Sequence, residues 1–253
     1  FFAAFVRELG FDLSIPPRGD RDVLRRGQEE FGVPVCAPVQ LYAGTVAALA
    51  EEQPDFILLP MLRNLPRRPG QPDSTLCPLA QAGGEVLAAL RPRNHRTVLL
   101  RPVLNMGQGN VRSHAFRRSV RALARGMGVC AAEEWRRAFD RAAAAQEEFD
   151  SALRAFGAGA LHFARERGIT AVVILGRNYT LHHPALNAGL PSIVRELGAL
   201  PLPVDCYPVP DAIPNVPGVY WGHGHDNVRA ALQVRENDDH VAVYCSTYSC
   251  GPD

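Results

Sequence analysis

Ala171-Val172-Val173-Ile174-Leu175-Gly176 is an unbroken apolar run that follows a long Ala-, Glu- and Arg-rich stretch. It is far too short to cross a membrane, and its continuous character reads as a strand buried on both faces. A strand covered on both faces needs helices above and below the sheet, which parallel α/β layers supply. Shorter apolar runs recur at residues 55–60, 97–100, 202–205 and 241–245, with helical patterns between them. The alternation predicts an α/β fold with parallel sheets.

The rest of the chain fits around these strands. Residues 1–10 read as the end of a helix stopped by Gly10, and residues 11–15 as a short strand closed by Pro16-Pro17. Residues 20–31 form an amphipathic helix with an acidic first turn. Val33-Pro34-Val35 is extended and ends at Cys36. Pro38 suits the first turn of the helix that follows, because a missing N–H costs nothing there. A Pro-, Arg- and Asn-rich loop over residues 61–75 leads to Cys77-Pro78 and another helix to about Leu90. The polar residues 91–96 mark a hinge, so the chain divides into residues 1–95 and 96–253. Residues 111–126 are helical. Residues 131–167 form a long helix solvated on one side, with breaks expected at Gly157 and Gly159. Residues 177–180 are a strand-to-loop edge, and residues 184–197 a helix. Residues 206–218 are irregular, and residues 220–234 a helix with Trp221 in its first turn. The apolar start without Met, and the stop just past a strand, suggest a segment of a longer polypeptide.

Composition narrows the function. The net charge is +1, which leaves no electrostatic footprint for nucleic acid or an anionic membrane. All 27 basic residues are Arg, so Schiff-base chemistry on lysine is excluded. Six cysteines are too few for a disulfide scaffold in a chain of 253 residues. A reduced, cytoplasmic protein is expected, with no leader and no membrane segment.

Three cysteines stand where ligands gather in such folds, outside the carboxyl ends of strands. Cys36 lies between a strand and a helix, Cys77 at a helix start, and Cys250 beyond the last strand. Thiolates at helix starts suit an iron–sulfur cluster. Spacing alone leaves buried inert thiols as the rival reading, since no Cys-x-x-Cys framework is present. Cys206 also follows a strand, and is an alternative ligand. Zinc on Cys206 with His182 or His223 is a further alternative, although no helical i, i+4 histidine pair exists. Gly107-Gln108-Gly109 lacks the third glycine of a dinucleotide fingerprint. Arg177 after a strand suits a carboxylate or phosphate.

Taken in order, several segments resemble the activase-related module of the 2-hydroxyacyl-CoA dehydratase iron–sulfur family. They are residues 1–11, Cys36-Ala37-Pro38-Val39-Gln40-Leu41, residues 55–60, Cys77-Pro78, Gly176-Arg177-Asn178-Tyr179, residues 184–191 and Cys250-Gly251-Pro252-Asp253. The resemblance implies two Rossmann-like α/β lobes with parallel sheets and a metal-cluster site between them. Cys36, Cys77 and Cys250 would be the ligands of a [4Fe–4S] cluster or of part of a double-cubane cluster. Arg177, Asn178, Tyr179 and Asn187 would line the cofactor region between the lobes. It also implies an ATP-hydrolysing, actin-like activator as electron donor, an acyl-CoA as candidate substrate, and pairing of subunits into a dimer. Against the family pattern, the first strand of residues 1–95 is missing, as is everything after Asp253, and the chain departs from the pattern in two further places. Residues 40–45 hold neither Lys nor His, and Leu76 precedes the second cysteine. A redox module accepting low-potential electrons is the first functional expectation. A cluster-free docking module of a large activase is the second.

Overall fold

A computed structural model describes residues 1–16, 19–32, 35–90, 96–247 and 250. In chain order it contains α1 (Phe2–Glu8), α2 (Arg21–Phe31), α3 (Ala37–Glu51), β1 (Phe56–Leu58), β2 (Met61–Leu62), α4 (Pro78–Leu90), β3 (Val98–Leu100) and β4 (Val103–Leu104). There follow α5 (His114–Gly126), α6 (Ala132–Glu166), β5 (Ala171–Gly176), α7 (Asn178–Leu181), α8 (Leu190–Glu196), β6 (Leu200–Pro203), α9 (Gly222–Arg235) and β7 (His240–Cys245). The fold is mixed α/β with short parallel sheets.

The pairings between these strands are all parallel, and an isolated antiparallel bridge joins Asn64 to Thr75 outside them. β1 pairs with β3 and β2 with β4, so two short ladders join residues on either side of position 95. β5 lies between β6 and β7, with Gly176 opposite Cys245 at the carboxyl end. Gly176 has φ of 150°, and a Cβ there would stand 2.4 Å from the Cys245 carbonyl oxygen. Only glycine lets the two strands close up at that edge.

Three apolar clusters hold these elements. The first gathers Phe5, Phe116, Val120, Trp135 and Phe139 from α1, α5 and the first half of α6. The second packs β5 and β6 against α9 and the later turns of α6, around Val173, Leu202 and Ala230. The third joins α2, α3, α4 and β1 through Phe31, Val46, Leu87 and Ile57. α6 therefore serves two clusters with different stretches of one helix, about 52 Å long at 1.5 Å per residue.

Several expectations change. α6 runs unbroken through Gly157 and Gly159. Gly157 is there because a Cβ would lie 1.7 Å from the Cys206 carbonyl oxygen. Residues 11–15 form no strand, having no ladder partner among the described residues; the Phe11 ring instead meets Phe56 edge-on at 6.0 Å. The helix expected over residues 184–197 shrinks to α8, because Asn187 Oδ1 accepts the Gly189 N–H and turns the chain first. Residues 177–180 form a helical turn, and Trp221 caps α9 rather than opening it. The expectations at residues 33–34, 91–95 and 251–253 fall outside the described residues. No described helix is long and apolar enough to cross a membrane.

Candidate functional site

Cys36 is placed by a helical hairpin. Asp20 Oδ1 accepts the backbone N–H groups of Asp22 and Val23 and starts α2. α2 ends at Gly32 in the left-handed region. α2 then packs on α3 at backbone distance. A Cβ on Gly27 would lie 1.7 Å from the Gln40 carbonyl oxygen, and one on Gly44 1.9 Å from that of Val23. Cys36 is the N-cap of α3, and its carbonyl accepts from Val39 and Gln40.

Cys77 is placed by the loop before it. The Asp73 carboxylate accepts from the Ser74 N–H at 2.7 Å, the Thr75 hydroxyl at 2.8 Å and Arg67 Nη2 at 3.3 Å. The Thr75 hydroxyl is the main reason that this carboxyl is held below the ordinary range. Ser74 donates to the Leu65 carbonyl, Thr75 N–H to Tyr220, and Gly222 N–H to Thr75. Asn64 bridges to Met106 and Gly107. The apparently irregular loop is thus laced to α9 and to the residues after β4. Cys77 emerges from it as the residue before α4, its carbonyl accepting from Gln81.

Cys250 follows β7, and Arg177 follows β5, at the edge where Gly176 and Cys245 are paired. Arg177 is buried, and its Nη1 donates to the Tyr179 hydroxyl at 2.6 Å.

These segments meet in a cavity of about 610 Å³. Cys36, Cys77 and Cys250 all line it, together with Arg177 and Tyr179. Its walls include Val39, Leu41, Leu79 and Leu186, and Pro60 just past β1. It therefore lies at the carboxyl ends of β1, β5 and β7, where α/β sheets place ligands. Burial pushes the Tyr179 phenol up to about 12; Arg177 opposes this, while Cys77 and Cys250 add to it. Both thiols are thus close enough to act electrostatically on one hydroxyl.

The other candidates separate. Asn178 and Asn187 do not line the cavity. The Asn187 side chain is committed to backbone, donating to Leu181 at 2.8 Å and accepting from Gly189. Cys206 is buried in the core around β5 and β6. Burial, reinforced by Asp205, pushes its thiol up to about 11, which favours the protonated form over a metal-binding thiolate. His182 lines the cavity with its Nε2 2.8 Å from Asp205 Oδ2, and His183 lies beside it. The His223 ring meets Tyr179 edge-on at 6.1 Å. Among the described residues no three His, Cys, Asp or Glu side chains are grouped tightly enough to hold a single metal ion. Zinc on Cys206 with these histidines finds no support there.

Besides Thr247 after β7, sequence reasoning missed two polar lining residues on α3, Tyr42 and Thr45. They lie six and nine residues along from Cys36, within reach of the face carrying Pro38 and Leu41. Helical periodicity measured from the cysteine was the signal available.

The sequence model of the family described as the CoA enzyme activase uncharacterised domain (DUF2229) matches residues 1–207. The chain belongs to that family. No curated protein and no solved structure matches it.

Proposed function

We propose that this activase-family domain binds an iron–sulfur cluster on Cys36, Cys77 and Cys250, and works as a redox module for low-potential electrons. The observation that carries the reading is that three cysteines far apart in sequence line one cavity. The donor set fits a cluster better than a lone ion. Thiolate sulfur is the ligand that iron–sulfur clusters use, and three cysteines supply it in this cavity. A [4Fe–4S] cluster, or part of a double-cubane one, would supply one-electron chemistry, and three protein ligands would leave one iron open to a substrate oxygen.

The remaining side chains have definite tasks in this reading. Arg177 presents a fixed cation to an anionic group among the thiolates. Val39, Leu41 and Leu186 give the cavity apolar walls, which strengthens that attraction. His182 Nε2, at the cavity wall, is hydrogen-bonded to Asp205 Oδ2 at 2.8 Å. The family description points to a CoA-enzyme activase; in this reading an ATP-hydrolysing, actin-like activator would be the electron donor and an acyl-CoA the substrate of the system served.

Anaerobic purification with iron and sulfide analysis tests this. The expected result is a brown protein holding about four irons per chain, lost when Cys36, Cys77 and Cys250 are all changed to Ser. A colourless, iron-free protein, with stability unchanged in the triple variant, would overturn the reading in favour of a cluster-free docking module.

A further inference from the structure

α5 has no acidic residue, and its exposed side is a row of bases. His114, Arg118, Arg121 and Arg125 are all exposed. At 3.6 residues per turn they lie within about 60° of one another around the helix, over a length of about 16 Å. The opposite side is buried, where Phe116, Val120, Leu123 and Ala124 enter the first apolar cluster. Towards α6 the bases are neutralised: Arg112 meets Glu147 at 2.7 Å, and Arg117 is paired with Asp140. Arg118, Arg121 and Arg125 have no ion pair among the described residues, and neither has the exposed Arg136 of α6. The acids in the first turn of α6, Glu133 and Glu134, pair with none of them.

Two of these cations are held in place in advance. Trp135 is buried, with the Arg121 guanidinium 6.0 Å and the Arg136 guanidinium 5.8 Å from its ring. Side chains ordered beforehand lose less freedom when a partner binds. Like charges one turn apart also work against a helix. α2 shows how a solvated face offsets this, with Arg25 meeting Glu29 at 3.0 Å one turn on. α5 has no such pair, so its charge is left uncompensated within the fold.

The row calls for an anionic occupant, and its surroundings choose the class. α5 exposes no large apolar side chain to enter a lipid surface; beside the arginines stand only Ala122 and Gly126. A nucleic acid would find the nearby Trp135 ring buried instead of open to a base, and would meet the carboxylates of Asp140 and Glu147 at the His114 end of the row. Carboxylates suit guanidinium forks. The i, i+3, i+7 spacing of Arg118, Arg121 and Arg125 is the one that a face of a second helix presents. We propose that this row, flanked by Arg136, docks an acidic helix of a partner protein. None of its residues lines the cysteine cavity, so the docking stands apart from the cluster reading.

Fluorescence anisotropy of the full chain tests this with a labelled, alanine-based helical peptide bearing glutamates at i, i+3 and i+7. A peptide of the same composition, with its glutamates spread around the helix, is the control. The striped peptide binds at about 0.01 M salt, more tightly than the control, and weakens as salt rises to about 0.15 M. Changing Arg118, Arg121 and Arg125 together to Ala keeps the circular dichroism spectrum and weakens binding about 10-fold or more. Removing three charges elsewhere, at the exposed Arg25, Arg154 and Arg235, changes it less than about 2-fold. Equal weakening by the two sets overturns the proposal, as does equal binding of the two peptides or binding of neither. Vesicles of phosphatidylserine and phosphatidylcholine, or a short DNA duplex, held by the α5 arginines more tightly than the striped peptide overturn it in favour of a membrane or a nucleic acid.

Discussion

The guanidinium of Arg177 holds the hydroxyl of Tyr179 at 2.6 Å, on the wall that Cys77 and Cys250 share. The bond spans a single turn: β5 ends at Gly176, and α7 begins two residues later. Arg177 thus fixes the phenol against the thiols, with both side chains held by one strand end.

Alkaline titration reads this environment. Burial pushes Tyr42, Tyr179 and Tyr207 each up to about 12. Half of the six tyrosines then stay neutral at pH 11 while the fold persists. Between about pH 10 and 12 the folded chain keeps protons that an unfolded chain releases, so stability falls as pH rises through that window. Ultraviolet titration of tyrosinate should show about three groups delayed, with their release coinciding with unfolding. Early titration of all six below pH 11 would contradict the burial assigned to them.

The α2–α3 hairpin gives a sharper test. Alanine favours a helix over glycine by about 1 kcal/mol. At Gly27 the new Cβ would stand 1.7 Å from the Gln40 carbonyl oxygen, a contact that flexible side chains cannot relieve. Gly27→Ala should therefore destabilise, by about 1–3 kcal/mol in urea unfolding. Because Cys36 caps α3, its rate of alkylation should change in the same variant. A gain of about 1 kcal/mol instead would mean that the helices do not touch there.

Asp73 is expected to govern Cys77 from four residues away. Asp73→Ala removes acceptors for the Ser74 N–H and the Thr75 hydroxyl. The expected loss is about 1–2 kcal/mol, less than the roughly 1.5–3 kcal/mol usual for hydrogen bonds to a charged group, because the carboxylate is partly exposed. Its carboxyl is held below the ordinary 3.8, so this contribution is present above that value and fades as pH falls through the lowered one. The alkylation rate of Cys77 should shift in Asp73→Ala and stay unchanged in Asp22→Ala, which removes an exposed carboxylate of α2. Equal rates at Cys77 in the Asp73 variant and the wild type would separate the loop from the cysteine.

These relationships also mark how far the chain could be read in advance. β5, the start of α3 behind Pro38 and the start of α4 behind Cys77-Pro78 carry their signals locally, as an apolar run or a first-turn proline. The continuity of α6 through Gly157 does not, because that glycine answers to Cys206, far along the chain. The loop over residues 61–75 looked unstructured since its partners, Tyr220, Met106 and Gly107, are all distant. Asn187 looked available for a ligand because nothing in its neighbours announces that its amide turns the backbone before α8. That Cys36, Cys77 and Cys250 share one cavity is a property of the sheet edges, which no local spacing encodes.

Acid stability follows from two buried imidazoles. His225 and His240 are both buried, and burial is the main cause that holds each below the ordinary 6.5. The His240 Nδ1 shares a hydrogen bond of 2.8 Å with the Tyr207 hydroxyl, and the two rings meet edge-on at 5.5 Å. In the folded chain these rings stay neutral at a pH where an unfolded chain has begun to bind protons. The unfolded state takes up the excess protons, so stability is fully present above about pH 6.5 and is lost as pH falls towards the lowered folded values. The urea midpoint should therefore drop between pH 7.5 and pH 5.5. His240→Gln should be less stable at pH 7.5, having lost the Tyr207 partner, yet should lose less on acidification because one proton-linked group is gone. A variant whose midpoint falls as steeply as the wild type would place the acid-sensitive group elsewhere than at the start of β7.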